Sequence, residues 1–421
     1  MTEIIKRFVL NTLAETPKII AEELKNVKSK RCFVNELRAA VARSGQRVFI
    51  LTGLRGTGKT TGLYQLFNET AGEKAYFSCD ELISRGITLN HALEALDYIK
   101  KERVGLGKKF LLLLDEITYL PEWDIHLKVL HDRRPNLVII ATSSSALPLR
   151  KTTELTRRAY ELQVHPLSFR EYLMLRYGIV IPDEISKSIR KNLGKKNLDE
   201  EYLRVLSLLG PYNLLALYDE YMRHDLPAAL RLDEHAYADG INKIVKRTIY
   251  EDFSRYEKFE TRMLTAAERL IKYLSTIPAD AVKLTTLSEV VGVSKESIGK
   301  LLEVFENGMI IKGIEYQGRG RMFKKPKKWF FYSPSMRYIL ALPIVSSAEI
   351  TGNLREDSVF RHLLSLSGAI FYSHEVDFIA NGLRIEVGGK GKKSREGILT
   401  LSMDETISKE RIPIPLFALS V

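Results

Sequence analysis

Gly53-Leu54-Arg55-Gly56-Thr57-Gly58-Lys59-Thr60 is the stretch that decides the fold of this chain. It fits the spacing G-x-x-x-x-G-K-[ST], and its surroundings fit as well. Residues 47–52 before it form an apolar, strand-like run, and residues 61–67 after it read as a helix. Strand, glycine loop and helix in that order predict a loop whose backbone N–H groups close around phosphates. The N-terminus of the following helix adds partial positive charge. Gly53, Arg55, Gly56, Thr57, Gly58 and Thr61 are then the phosphate cradle. Lys59 reaches the β- and γ-phosphates, and the Thr60 hydroxyl is placed to ligate Mg²⁺.

Working outward, residues 110–114 are a continuous apolar run, as a central parallel strand should be. The run ends in Asp115-Glu116. A carboxylate at a strand end suits the Mg²⁺ shell, which assigns Asp115 as the second metal-side group. Glu116 beside it is placed to orient and activate water, and the doubled acid favours hydrolysis over kinase chemistry. Residues 136–141 form a third strand, ending in Thr142-Ser143-Ser144-Ser145. The hydroxyls of Thr142 and Ser144 either sense the γ-phosphate and its attacking water or cap the next helix. Arg157-Arg158 follows; an arginine near a γ-phosphate supplies transition-state charge, from the same chain or from a neighbour.

These motifs together resemble a known group. The order is the P-loop, then Leu114-Asp115-Glu116-Ile117 with Leu120 and Trp123, then Thr142 to Ser145, then Pro166-Leu167-Ser168-Phe169-Arg170-Glu171-Tyr172. It is similar to archaeal and bacterial AAA+-type ATPases that carry a C-terminal nuclease-like domain. The likeness runs from about Arg31 to about Glu386. It implies an α/β P-loop NTPase with an AAA+-like parallel sheet, ATP and Mg²⁺ as cofactors, a helical lid, and an arginine finger at Arg157 or Arg158. That arginine is expected from the same chain or, in a homo-oligomer, in trans from a neighbour. Ser143 stands where the family has a glycine after the sensor threonine. Of the family's Gly-Gly-x-Pro, His224-Asp225-Leu226-Pro227 keeps only the proline.

Residues 262–332 read as a winged helix-turn-helix. An amphipathic helix spans 267–274, a short helix 285–291 starts at Thr285, and Ser294 caps a recognition-type helix at 295–305. Lys295 and Lys300 lie on that helix, and Arg319, Arg321, Lys324, Lys325, Lys327 and Lys328 cluster at the hairpin that follows. Clustered cations there suit DNA phosphates. The mixed charge of the helix suits a protein-interaction module equally.

Glu356 on a helix, Asp377 in a strand expected over 372–378, and Glu386 in a strand over 384–387 resemble the PD-(D/E)xK nuclease arrangement. Two carboxylates on adjacent strands hold a divalent ion there. Gly388 occupies the position of the lysine, and Lys390 or Lys392 follows in a glycine-rich turn. That departure favours a docking or assembly domain over a cleaving one.

The expected divisions are an N-terminal helical extension (1–30), an ATPase core (31–170), a helical lid (171–255), a winged helix (256–335) and a small α/β nuclease-like domain (336–421). Residues 183–201 are highly charged and are expected as a solvated segment. The formal charge of +12 over 421 residues points to an anionic partner. Two cysteines imply no disulfide framework, and no apolar run approaches the ~20 residues of a membrane span. The expectation is a cytoplasmic ATPase acting on DNA. A nucleotide-dependent switch and an ATP-gated nuclease are the alternatives.

Overall fold

The computed structural model describes the chain apart from residues 1, 28, 44, 145–156, 253–259, 319–324 and 390. Two compact units, Met1–Val164 and His165–Val421, account for it.

The first unit is built on strands β1 (Val48–Thr52), β2 (Glu73–Ser78), β3 (Phe110–Asp115), β4 (Leu137–Ser143) and β5 (Ala159–Gln163). They pair in parallel in the order β2-β3-β4-β1-β5. Parallel neighbours require crossover helices, which cover both faces and make the central strands apolar throughout. All residues of β1, β3 and β4 are buried. The strand period of two sorts them into two layers. Phe49 and Leu51 join Phe33, Leu37, Leu63 and Leu66 from α2 (Cys32–Arg43) and α3 (Lys59–Glu69). Val48 and Ile50 join Leu93 and Leu96 from α5 (Leu89–Lys100), which follows α4 (Cys79–Ser84), and Leu127 from α6 (Trp123–Arg133).

The N-terminal extension belongs to this unit. Helix α1 (Glu3–Leu24) packs beside β2, α3 and α5. It gives Val9 to one layer and Ile20 to the other.

The second unit joins the segments expected as lid, winged helix and nuclease-like domain around one core. Leu167, Phe169, Tyr218 and Tyr221 share it with Phe330, Phe360, Ile385 and Leu416. The helical segments are α7 (Phe169–Tyr172), α8 (Asp183–Asn192), α9 (Asp199–Leu209), α10 (Leu214–Arg223) and α11 (Glu234–Arg247). Residues 183–201, expected as a solvated surface segment or loop, are largely helical. Ile185 and Ile189, one turn apart, are buried, and the charges occupy the outer face.

Next come α12 (Thr261–Thr276), α13 (Leu284–Val291) and α14 (Lys295–Asn307), then the antiparallel pair β6 (Ile311–Tyr316) and β7 (Lys328–Phe331). Ser294 caps α14, its hydroxyl accepting from the Ser297 N–H at 3.1 Å. Thr285 lies inside α13 and does not cap it; Lys283 holds that position.

The chain continues through α15 (Pro334–Ala341), α16 (Ser347–Leu366), β8 (Ile370–Tyr372), β9 (Phe378–Ala380), β10 (Leu383–Gly388), β11 (Leu399–Ser402), β12 (Arg411–Pro413) and α17 (Ile414–Ala418). The single strand expected over 372–378 is two short strands. The Ser373 N–H donates to the Val376 carbonyl at 3.2 Å and turns the chain between them. Strand β6 also pairs in parallel with β8, so one sheet runs β12-β11-β10-β9-β8-β6-β7. The expected boundary at 335/336 falls inside α15, and the strands before and after it belong to one sheet.

Candidate functional site

The first site forms at the carboxyl ends of β1, β3 and β4. Gly58, at φ 86°, is the N-cap of α3, a backbone angle that glycine adopts without a Cβ penalty. Gly53 is required by close approach, since a Cβ there would meet the Val164 carbonyl oxygen at 2.3 Å. The Thr57 hydroxyl donates to the Leu54 carbonyl at 2.9 Å, which tightens the loop. Lys59 is buried and its Nζ donates to the carbonyls of Gly53 (2.7 Å) and Leu54 (3.0 Å). Arg55 and Gly56 sit in the turn of the loop, and Thr60 and Thr61 open the helix.

Asp115 is where the strands converge. Its Oδ2 accepts from Thr60 Oγ1 at 2.8 Å, and its Oδ1 from Thr142 Oγ1 at 2.5 Å. Thr142 in turn accepts the backbone N–H of Glu116 at 2.8 Å. Of the hydroxyls ending β4, Thr142 therefore contacts the acid pair. Ser144 is buried beside it. Glu116 is a non-glycine residue at φ 52°. Such a conformation persists only where the surroundings impose it, and it aims the residue after the strand away from the strand direction. These hard oxygen donors fit Mg²⁺, and the loop fits a phosphate chain.

Two contributors were not evident in the sequence. Arg31 is buried and donates from Nη1 to the Thr57 carbonyl at 2.5 Å, bracing the loop from outside. The Tyr76 hydroxyl, on β2, donates to Asp115 Oδ2 at 3.2 Å. Burial and the Asp115 charge push the Tyr76 phenol far above the usual tyrosine range, so it stays a donor.

The arginine pair lies elsewhere. Ala159 is in register with Val48, at the amino end of β1, whereas Gln163 is in register with Thr52 beside the P-loop. Arg158 stands about 16 Å from that loop by strand rise. It pairs with Asp132 at 3.1 Å, and Arg157 beside it is exposed. In this structure the pair lies toward the end of the sheet away from its own P-loop.

In the second unit, Lys295 is exposed on α14 and Lys300 pairs with Glu296 at 3.3 Å. Lys325 lies over the Tyr316 ring, and Lys327 lies 3.9 Å from Glu306. Lys328 faces inward, 3.7 Å from Asp377. Arg319, Arg321 and Lys324 fall outside the described residues, as does Lys390.

Glu356 on α16, Asp377 before β9 and Glu386 on β10 share one electrostatic neighbourhood. Burial, then the nearby Asp377 carboxylate, raise the Glu356 carboxyl above its usual range. Burial also raises Asp377, against the Val387 N–H that donates to it at 2.9 Å. Glu386 is met by Lys392 at 2.8 Å and Arg395 at 3.5 Å. A Cβ at Gly388 would lie 2.7 Å from the Cβ and Cγ of Lys392. The Lys392 side chain thus fills the room that a side chain at 388 would take. Among the described residues no three His, Cys, Asp or Glu side chains gather closely enough to hold a metal.

The sheet order, the P-loop and the strand-end acid define a P-loop ATPase of the AAA type. The AAA domain family (AAA_14) matches residues 45–173. An uncharacterized protein of Methanocaldococcus jannaschii, MJ1637, is 30% identical over 420 residues, covering 93% of this chain and 86% of its own. The chain belongs to the family of that archaeal protein. An uncharacterized protein of Haemophilus influenzae is 23% identical over 79% of this chain and 78% of its own.

Solved structures with some likeness include the Walker-type ATPase of Pyrococcus abyssi, with 16% identity over 73% of this chain and 94% of its own and a TM-score of 0.41. RuvB, the Holliday junction branch migration motor of Thermotoga maritima, has 16% identity over 71% and 92%, with a TM-score of 0.31. No helix among the described residues is long and apolar enough to cross a membrane.

Proposed function

We propose that the chain hydrolyses ATP at the P-loop with Mg²⁺ and uses the nucleotide state to bind DNA and to remodel it or move along it. The observation that carries the hydrolytic half is Asp115 held between Thr60 and Thr142, with Glu116 next to it. In this reading Lys59 and the loop N–H groups would hold the β- and γ-phosphates, and Thr60 and, through water, Asp115 would hold the Mg²⁺. The bound ion supplies charge neutralisation of the phosphates. Glu116 accepts a proton from water as its oxygen attacks the γ-phosphorus, and the bond to ADP breaks. Thr142 fixes the acid pair, and Arg157 or Arg158 of a neighbouring copy completes the charge.

The DNA half is supported by the formal charge of +12 and by where cations lie. Helices α12 to α14 followed by the β6–β7 hairpin have the element order of a winged helix, with Lys295 exposed on the third helix. Contacts of this kind to phosphates position the protein without specifying sequence. The test is the steady-state ATPase rate with duplex, branched and single-stranded DNA at two salt concentrations. Stimulation by one form, lost at higher salt, is expected. A slow rate indifferent to every DNA would defeat the DNA reading in favour of a nucleotide-driven switch.

A second reading, an ATP-gated nuclease, is supported by Lys392 reaching back over Gly388 to Glu386. Divalent-dependent cutting that Asp377→Ala abolishes is its expected signature. No cutting of any DNA by the intact chain with Mg²⁺ or Mn²⁺ would remove it.

A further inference from the structure

We infer that Tyr76 is a positioning residue for the metal-facing carboxylate of Asp115. The inference rests on the nucleotide-hydrolysis reading of that site. A carboxylate at the end of a strand swings about its terminal torsion, which is broad and poorly fixed by rotamer preference. To act on a bound cation repeatedly, it must be held by neighbours. Asp115 is held from three elements: α3 through Thr60, β4 through Thr142, and β2 through Tyr76. The first two touch parts expected to meet the nucleotide. Tyr76 has no such second duty.

The β2–β3 register explains why position 76 reaches this carboxylate. Ser78 is the register partner of Asp115, and Tyr76 lies two residues earlier, so its side chain leaves the same face of β2. The ring is backed edge-on by Tyr64 of α3, with centroids 5.4 Å apart. A cavity of about 630 Å³ opens between α1 and this edge of the sheet, lined by Asn11 and Thr16 of α1 and reaching Tyr64, Tyr76 and Asp115. It is large enough to bring water to Oδ2. The phenol hydroxyl takes that approach with a fixed donor, where water would be a loose one.

Removing groups that orient a metal ligand typically lowers metal affinity on the order of 10-fold or more. The experiment measures Mn²⁺ binding to the full chain by EPR, in the presence of a non-hydrolysable ATP analogue. Binding of a fluorescent ATP analogue in EDTA runs alongside. In Tyr76→Phe the Mn²⁺ half-saturation is expected to rise roughly 10-fold. The metal-free analogue should bind as in the wild type, and the rate at saturating Mg²⁺ should fall by less than the metal affinity. Tyr64→Phe, which removes a hydroxyl bonded to Tyr76 and not to Asp115, should raise the Mn²⁺ half-saturation by less than Tyr76→Phe does.

Unchanged Mn²⁺ binding in Tyr76→Phe would overturn the inference. So would an equal loss of metal-free binding, which signals a packing role, or an equal Mn²⁺ defect in Tyr64→Phe. A wild-type chain that binds no nucleotide with either metal would fail at the hydrolysis reading itself, which separates the two failures.

Discussion

The two units each gather carboxylates, and they hold them by opposite means. Asp115 in the first unit is held by hydroxyl groups of Thr60, Tyr76 and Thr142. Asp377 and Glu386 in the second are met by ammonium and guanidinium groups of Lys328, Lys392 and Arg395. Neutral donors fix a carboxylate while leaving its charge for an incoming cation. Cations fix it and cancel that charge. The comparison teaches that carboxylates at strand ends and on strands can be poised for a metal in one place and self-balanced in the other, with the neighbours deciding.

The largest expected break in this comparison is Asp115→Asn. The amide keeps an acceptor oxygen for the hydroxyls but loses the charge. We expect ATP turnover to fall by roughly 100-fold or more, as when a transition-state electrostatic group is removed. The thermal midpoint should move little. Phosphate release and a melting curve check both; normal turnover would remove Asp115 from the metal role.

Next in size is the buried pair Arg337–Asp357, in which the guanidinium Nε lies 2.5 Å from the carboxylate and Nη1 donates to the carbonyls of Leu274 and Ile277. Burial pushes the Asp357 carboxyl up to about 6 even against this arginine. Arg337→Met strands a buried carboxyl and should cost about 3–5 kcal/mol. Denaturant unfolding measures it, and a loss below ~1 kcal/mol would mean the pair is dispensable.

A pH scan sharpens the comparison further. His362 is fully buried, accepts the Phe169 N–H at 3.1 Å, and burial lowers it to about 3. The unfolded chain protonates this histidine below its ordinary value of 6.5, while the folded chain does so only near 3. Stability from His362 is therefore present above about 6.5 and lost as pH falls toward 3. Asp225, pushed up to about 6 by burial, acts in the opposite direction over about 4–6: its folded form favours the proton, so its contribution fades as pH rises. We expect His362→Asn to be less stable at neutral pH yet to lose less on acidification than the wild type, seen as a shallower fall in melting temperature. An unaltered acid limb would contradict this.

The smallest effect expected is Lys392→Ala. The side chain is 40% exposed, so its ion pair with Glu386 should contribute about 0–1 kcal/mol to stability. Its removal should nevertheless raise Mn²⁺ binding at the acid cluster, measured by calorimetry with Lys59→Ala in the background. Weaker or unchanged binding would argue that Lys392 does not neutralise the cluster.

Much of the first site was legible because it is local. The Gly53–Thr60 loop, the apolar strands and the acid after β3 are contiguous stretches whose periodicity and glycine spacing have one sensible backbone solution. Sequence also marked Thr142 as a candidate, without choosing it from the hydroxyls near it. What lay beyond reach was long-range. No motif singles out Tyr76, and only the β2–β3 register brings its hydroxyl to Asp115. Arg157 and Arg158 read as finger candidates for their own chain or a neighbour, and only the β1–β5 register places them at the far end of the sheet from their own P-loop.

By itself, then, the sequence determined a P-loop ATPase core, because backbone chemistry and hydrophobic period act over a few residues. Tertiary structure alone decided that β6 joins β8 in one sheet and that Lys328 turns inward to Asp377. Those outcomes depend on strand pairing and burial between segments tens of residues apart, where local preference carries no information about the partner.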